Sequence, residues 1–458
     1  MKKLFPIKFF ESLKGLKGFD EDAFLSIHLS DEEVVSIRLN PAKQISDFDS
    51  CEKIPWCENG KYLNERPSFT SDPLFHAGCY YVQEASSMFI EQIFKNGVDL
   101  KSPLKILDLC AAPGGKSTLI ASLISDESVL ISNEVIKTRV STLKENLVKW
   151  GSENIFISNN DPKDFSRLEN YFDVILVDAP CSGSGLFRKN NNAVDEWSEE
   201  NVSLCSHRQQ RILADIIPAL KENGILIYST CSYSVQENET ICDWVSQEFK
   251  LETIKIPLHK EWGIVETASE KKNCFGYRFY PDKIKGEGFF VAAFKKPTQT
   301  PSNERKDKGA QEREVDKKEK TILEKWIQNS ENYFFLKLEN EIIAIREEHE
   351  KVYSELRSTL YLKKAGVTIG EIIRDELIPS HELAMSNLLK ENIFKFNVDK
   401  ETALRYLKKE NISVSDSPKG WILICYKNHP LGWAKNLGSR INNYYPKNYR
   451  ILKEISEF

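Results

Sequence analysis

The chain has 458 residues, 41% hydrophobic and 29% charged, a globular composition with room for about two to four domains. Its formal net charge of −5 excludes a globally basic nucleic-acid binder, so any RNA contact must come from local basic faces. Ten cysteines without a CxxC pair make no disulfide framework, and Cys51 and Cys57, with five residues between them, are a poor zinc pair; a reducing cytosol fits, and no metal is expected.

The first residues, Met1-Lys-Lys-Leu-Phe-Pro-Ile-Lys-Phe-Phe10, are basic and apolar, but Lys8 and Glu11 break them before they could form the core of a signal peptide. No run approaches the ~20 apolar residues needed to span a bilayer. Residues 1–100 mix short helical and extended patterns and read as an N-terminal extension. From 105 to 296, strand-like runs alternate with helical stretches. The runs are Lys105–Cys110, Val129–Asn133, Ile155–Ser158, Val174–Asp178, Ile225–Ser229 and Phe289–Phe294. The clearest helical stretch is Ser203–Lys221, where Leu213, Ile216, Ile217 and Leu220 recur at three- and four-residue steps. This alternation predicts an α/β domain over 101–297 with a doubly wound, Rossmann-like, mostly parallel sheet. Gly286-Glu-Gly288 reads as a turn that brings the last strand back antiparallel. Residues 298–320 are dominated by charged and polar side chains and read as a flexible linker, so the parts on either side are expected to fold separately. The remainder, 321–458, is a C-terminal α+β region. Tyr333–Leu338 and Glu341–Ile345 flank Glu339-Asn340 as a hairpin, and Lys400–Glu410 looks helical.

Three strand ends carry the chemistry. Ile106-Leu-Asp-Leu-Cys110 runs into Ala111-Ala-Pro-Gly-Gly-Lys-Ser117. A phosphate loop would need Gly at 110, and Pro113 lacks the N–H that a phosphate cradle uses, which weakens an NTPase reading. What remains is a small-residue loop that lets a nucleoside ligand approach the backbone. Glu134, at the end of the next strand, suits a ribose diol. Asp161, after the third, could meet an adenine amino group. Taken singly, either carboxylate is as readily a cap or a loop charge. In strand-by-strand order with the loop, they favour S-adenosylmethionine. The other two ends carry thiols: Cys181 in Asp178-Ala-Pro-Cys-Ser-Gly-Ser-Gly185 and Cys231 in Ser229-Thr-Cys-Ser232. Two thiols beside a cofactor loop suggest covalent chemistry at an electrophilic carbon; buried strand-end packing is the blander explanation.

On these residues the chain resembles the Sun/Fmu-type RNA (cytosine-5) methyltransferases, and among them the bacterial ribosomal RsmF-type branch. The matching segments are Tyr81-Val-Gln-Glu-Ala-Ser-Ser87, Asp108 to Ser117, Asn133-Glu134 with Arg139, Asp161, Asp178 to Lys189, His207-Arg-Gln-Gln210 and Ser229 to Glu239. They span roughly 73–295. Ser117 stands where many relatives carry Thr. The tail over Gly420–Ile451 resembles a PUA-like RNA-binding module, through His429-Pro-Leu-Gly-Trp-Ala-Lys435 and Tyr445-Pro446. The resemblance implies RNA contacts in the N-terminal and C-terminal regions, a nucleophilic Cys231 and a Cys181 that assists product release. It implies a cofactor site for S-adenosylmethionine built from Cys110, Ala111, Ala112, Pro113, Gly114, Gly115, Lys116, Glu134, Arg139, Asp161 and Asp178.

The chemistry is consistent with these roles. A thiolate adding to carbon 6 of cytosine activates carbon 5. Asp178, if protonated or sharing a proton, could hydrogen-bond N3 and stabilise the adduct's charge. Cys110 reads as a loop-packing residue, and Lys116 could contact the cofactor carboxylate or the RNA backbone. The base must leave its stack, so a flipped cytosine is expected. Arg188, Lys189, Arg208 and Arg211 could grip flanking phosphates, though singly each is more often a solvated charge. In the tail, Lys427, Lys435, Arg440, Lys447, Arg450 and Lys453 outnumber Glu454 and Glu457 and lie among Trp433, Tyr444, Tyr445 and Tyr449, a mixture that suits RNA. The expected partner is RNA, as ribosomal RNA or a ribosomal subunit ahead of transfer RNA, met by a cytoplasmic monomer away from membranes. A P-loop phosphohydrolase and a non-catalytic RNA-binding assembly factor are the competing readings.

Overall fold

The computed structural model describes residues 5–30, 32–298, 314–413 and 417–452. Two helices, Ile7–Leu13 and Glu21–Leu29, precede three antiparallel strands, β1 (Val35–Leu39), β2 (Gly60–Leu63) and β3 (Tyr80–Val82), in the order β2-β1-β3. The central sheet follows. Strands β4 (Lys105–Asp108), β5 (Val129–Asn133), β6 (Ile155–Ser158), β7 (Phe172–Asp178) and β8 (Leu220–Thr230) pair in parallel in the order β8-β7-β4-β5-β6. Strand order reverses between β4 and β7, so the crevice at their carboxyl ends is where such a sheet takes ligand. These strands read as continuous apolar runs because both faces are covered. Leu213, Ile216 and Phe156 belong to one core; Leu119, Ile120, Leu143 and Leu147 belong to the other. The short β9 (Glu252–Thr253) pairs with β12 (Phe289–Lys295), which is antiparallel to β8 as the Gly286-Glu-Gly288 turn predicts. Strands β11 (Phe275–Phe279) and β10 (Val265–Ala268), which sequence reading missed, extend that edge.

The C-terminal region forms two more sheets. β13 (Tyr333–Leu338) and β14 (Glu341–Arg346) are the expected hairpin, continued by β16 (Val367–Ile373) and β17 (Glu376–Pro379). β18 (Lys395–Asn397), β19 (Gly420–Tyr426), β20 (His429–Asn436) and β21 (Ile441–Asn443) make the last sheet, packed with the helix Lys400–Leu407.

Two expectations need correction. The predicted linker 298–320 falls mostly on 299–313, which lie outside the described residues, as do Lys453, Glu454 and Glu457. Its last part is ordered: Asp316 and Glu319 form a reciprocal capping box that starts the helix Lys317–Leu323. Charge-rich composition hid a capped helix start. The parts on either side of that segment, expected to be separate, pack against each other. Strand β15 (Leu362–Lys364) lies antiparallel to β6 and closes the free edge of the catalytic sheet. Leu336, Ile343, Ile345, Leu356 and Leu360 join the same apolar core as Leu107 and Ile175. Tyr333 donates to Glu153 at 2.6 Å, and Lys105 pairs with Glu355 at 3.4 Å. The last sheet meets the N-terminal one, with Ile37, Leu74 and Tyr80 in one cluster with Leu404, Ile422 and Leu431.

A buried large apolar side chain contributes about 1.5–3 kcal/mol, so five of them rival the ~5–15 kcal/mol that holds a typical domain folded. A chain ended at residue 297 is therefore expected to lose its cooperative thermal transition and its soluble yield. Differential scanning calorimetry beside the full chain checks this; a sharp melt in the shortened protein would show that the catalytic sheet stands alone.

Candidate active site

The parallel register of β7 and β8 sets Asp178 opposite Ser229. Each strand then ends in a loop that carries a cysteine. The two thiols are free and meet with Cys181 Sγ 3.0 Å from Cys231 Sγ. The loops are clamped by backbone bonds: Gly185 N–H donates to Cys231 O at 2.8 Å, and Gly288 N–H donates to Gly185 O at 3.1 Å. A Cβ at Gly185 would stand 2.3 Å from Gly288 O, which is why this position has no side chain. Ser182 and Ser232, which follow the two cysteines, both donate to the buried carboxylate of Glu237 at 2.6 Å. The hydrogen bond with Cys231, burial and the negative charge of Glu237 together push the Cys181 thiol well above its ordinary range, so it is held protonated.

Asp178 sits between the thiols and the cofactor loop. Its carboxylate accepts from Ser229 Oγ at 2.7 Å and pairs with Lys116 Nζ at 2.8 Å. Burial works against the Lys116 charge, but Asp178 outweighs it and raises the ammonium above its usual value. Lys116 therefore faces Asp178 across the crevice instead of projecting to solvent. A cavity of about 180 Å³ opens beside them, lined by Cys110 to Pro113, Gly115, Lys116, Asp178 and, from the N-terminal region, Tyr81 to Glu84 and Ser87. Gly114, at φ 113°, starts the helix Gly115–Ala121 in the left-handed region that favours glycine. Burial pushes the Cys110 thiol up, which suits a packing role.

Glu134 follows β5 as expected. It is buried, accepts from Ile136 N–H at 2.8 Å, and holds Arg139 at 3.3 Å. Its Oε2 accepts no hydrogen bond and has the Arg139 ion pair alone, which leaves it free to accept a ribose hydroxyl. Arg139 also donates to Ala112 O at 2.5 Å and so holds the loop against Glu134. The residues present fit an adenosyl ligand. Asp161 is less committed: it accepts from Lys163 N–H as a cap and lies 3.6 Å from Arg211. Arg188 is spent internally, donating to Glu32 O at 2.6 Å and facing Glu287 at 3.6 Å, whereas Arg208 stays exposed. In the tail Trp433 and Tyr445 are core residues, and Tyr444 is exposed.

Sequence reading missed Arg38 and Glu237. Arg38, fully buried on β1, donates to Gln83 Oε1 at 2.9 Å, Thr118 Oγ1 at 2.5 Å and Gly115 O at 3.3 Å, and lies 4.6 Å from the Trp150 ring. It bolts the N-terminal sheet to the cofactor loop, and no motif surrounds it. Glu237 lies within the Ser229–Glu239 segment, and a serine after each cysteine was its available signal.

Known proteins match this architecture. A family model described as 16S rRNA methyltransferase RsmB/F matches residues 98–295. Models of the N-terminal domain of 16S rRNA methyltransferase RsmF and of the methyltransferase RsmF PUA domain match 5–85 and 393–451. The chain is 30% identical over 413 residues to ribosomal RNA small subunit methyltransferase F of Psychromonas ingrahamii, covering 86% of this chain and 84% of that one. It is 28% identical over 453 residues to the protein of the same name from Shewanella loihica, covering 92% of each. The solved methyltransferase homolog protein from Pyrococcus horikoshii is 26% identical with a TM-score of 0.50, over 64% of this chain and 99% of that one. Fold and crevice are those of an S-adenosyl-L-methionine-dependent methyltransferase, joined here to a PUA domain. The chain belongs to the ribosomal RNA small subunit methyltransferase F family.

Asp108, beneath the loop, gives a pH signature. Burial lifts its carboxyl from the ordinary 3.8 to about 7, against the hydrogen bond from Ser117, and its Oδ1 has no partner. A folded pKa above the unfolded one means that protonation favours the fold, fully at low pH, and that this contribution is lost as pH rises through about 7. Asp108→Asn is expected to flatten the fall of melting temperature between pH 4 and 7. Parallel fluorimetry curves for both proteins would show that the carboxyl ionises freely.

Proposed function

We propose that this chain methylates carbon 5 of a cytosine in small-subunit ribosomal RNA through a covalent adduct. The observation that carries this reading is the contact between two free thiols, 3.0 Å apart, at the ligand edge of the sheet and next to Asp178. A flipped cytosine held there has its carbon 6 open to Cys231. The thiolate forms a C–S bond as the C5–C6 electron pair moves to carbon 5 and on toward N3, and Asp178, protonated when the base is bound, donates its O–H to N3 and steadies the developing charge. S-Adenosyl-L-methionine, when bound by Glu134, Arg139 and the Cys110–Lys116 loop, supplies the methyl group. The carbon 5 proton then leaves, its electrons restore the C5–C6 double bond, and the C–S bond breaks. Cys181, held protonated beside the departing sulfur, gives that sulfur its proton and is recharged by the one from carbon 5. The exposed Arg208 and the basic, aromatic tail supply RNA contacts, with the N-terminal sheet alongside.

Cys231→Ala is expected to abolish both methylation and any covalent adduct. Cys181→Ala retains attack and methyl transfer but stalls release, leaving a protein–RNA species that survives a denaturing gel. An adduct with Cys231→Ala and none with Cys181→Ala would reverse the two roles. Bisulfite sequencing of ribosomal and transfer RNA from a deletion strain identifies the product and the RNA; an unchanged 5-methylcytosine pattern in both would sink the proposal.

Glu134→Ala removes a charged partner worth about 1.5–3 kcal/mol, so the Kd for S-adenosylmethionine rises roughly tenfold to a hundredfold while RNA affinity is unchanged. Calorimetry checks this, and equal cofactor affinity in the two proteins would make Glu134 a loop brace alone.

A further inference from the structure

The loops that carry the two cysteines come from different strands, and neither is held in place by a regular ladder. One side chain reaches both. Glu237 is completely buried. Its Oε1 accepts the Ser182 N–H at 2.7 Å and lies 3.5 Å from Gln209 Nε2. Its Oε2 accepts the hydroxyls of Ser182 and Ser232, each at 2.6 Å. Ser182 is the residue after Cys181, and Ser232 is the residue after Cys231. The backbone that carries this side chain is held too: Tyr228 OH donates to the Glu237 main-chain carbonyl at 2.5 Å, and the neighbouring Asn238 side chain donates to the Ser232 main-chain carbonyl at 2.7 Å. Gln209 also donates to Pro180 O at 3.1 Å, bringing the helix Glu199–Ile216 into the same brace.

We propose that Glu237 is the positioning residue of the cysteine pair, its carboxylate tying the Cys181 loop to the Cys231 loop so that the two sulfurs stay in contact during turnover. The spacing stands on this geometry alone; its catalytic consequence rests on the roles proposed above for the cysteines. Every donor to Glu237 in this brace is neutral, so its charge is spread over four hydrogen bonds instead of being cancelled. Burial raises its pKa while those bonds oppose the rise. That charge faces Cys181 and adds to the forces that hold its proton in place. Glu237 thus has two separable effects. The bonds set a distance, and the charge keeps Cys181 a thiol. A glutamine at this position could still bridge the two serines, since their hydroxyls accept as well as donate, but it carries no charge.

The test uses the full chain. In RNA-free protein, diamide removes one hydrogen from each thiol and is reduced to its hydrazine, so the rate of Cys181–Cys231 disulfide formation, read by mass spectrometry, reports how often the sulfurs meet. Single-turnover methyl transfer and the lifetime of the RNA adduct report the chemistry. For Glu237→Ala, disulfide formation slows and the methyl-transfer rate falls roughly a hundredfold, with the KM for S-adenosylmethionine unchanged. For Glu237→Gln, disulfide formation stays near the wild-type rate, and the pH profile of adduct release shifts to lower pH. A folded Glu237→Ala protein that forms the disulfide at the wild-type rate overturns the proposal. Slow disulfide formation with normal methylation upholds the spacing role and instead removes the cysteines from the mechanism. If Glu237→Ala does not fold, the double variant Ser182→Ala with Ser232→Ala asks the same question, and an undiminished disulfide rate there overturns the proposal as well.

Discussion

The parallel pairing of β7 with β8 is the constraint on which the site depends. Adjacent strands lie about 4.8 Å apart, and a shift of one residue along a strand moves an atom by about 3.3 Å. With Asp178 level with Ser229, the loops that follow bring two sulfurs to 3.0 Å. A slip of a single residue would exceed that distance and would also carry Asp178 away from the Ser229 hydroxyl. Register in a doubly buried parallel sheet is fixed by the apolar residues on each face, here Ile175, Leu226 and Tyr228 on one side and Val174, Leu176 and Ile227 on the other. Packing far from the thiols therefore sets the distance between them.

The cofactor loop is held from outside its own domain. Arg38 brings a guanidinium from the N-terminal sheet into a buried position, where burial lowers its pKa to about 10 and it remains charged. Such a group is tolerated only where its N–H groups find acceptors and its face finds a ring. The acceptors are Gln83, Ser122, Thr118 and the Gly115 carbonyl, and the ring is Trp150. The first strand of the protein thus braces the crevice from behind, through Gln83, which lines it together with Tyr81.

Much of this was legible in the sequence. The strands Val129–Asn133 and Ile155–Ser158 have the expected bounds, because an apolar run with polar ends leaves little choice in a parallel sheet. The hairpin at Glu339-Asn340 was readable for the same reason. The thiols and Glu134 were readable from the strand ends that carry them. Elements joined by distant contacts were not. Strand β15 has only three residues and gains its identity from β6, which no local pattern encodes. Arg38 looks like any charged strand residue until Thr118 and Trp150 surround it. The linker boundary was missed because a capping box is built from the same charged residues that mark disorder.

The closing of β6 by β15 has a consequence for the order of synthesis. Ribosomes make the chain from its N-terminus, so β6 emerges long before Leu362–Lys364 exist. Until then β6 has no outer partner, whether or not the rest of the sheet has formed, and its backbone donors and acceptors are open to pairing with other chains. The nascent protein must carry that unpaired edge through the synthesis of the whole stretch between, and only completion of the C-terminal region removes the hazard. Stalled or prematurely released chains would be the aggregating species.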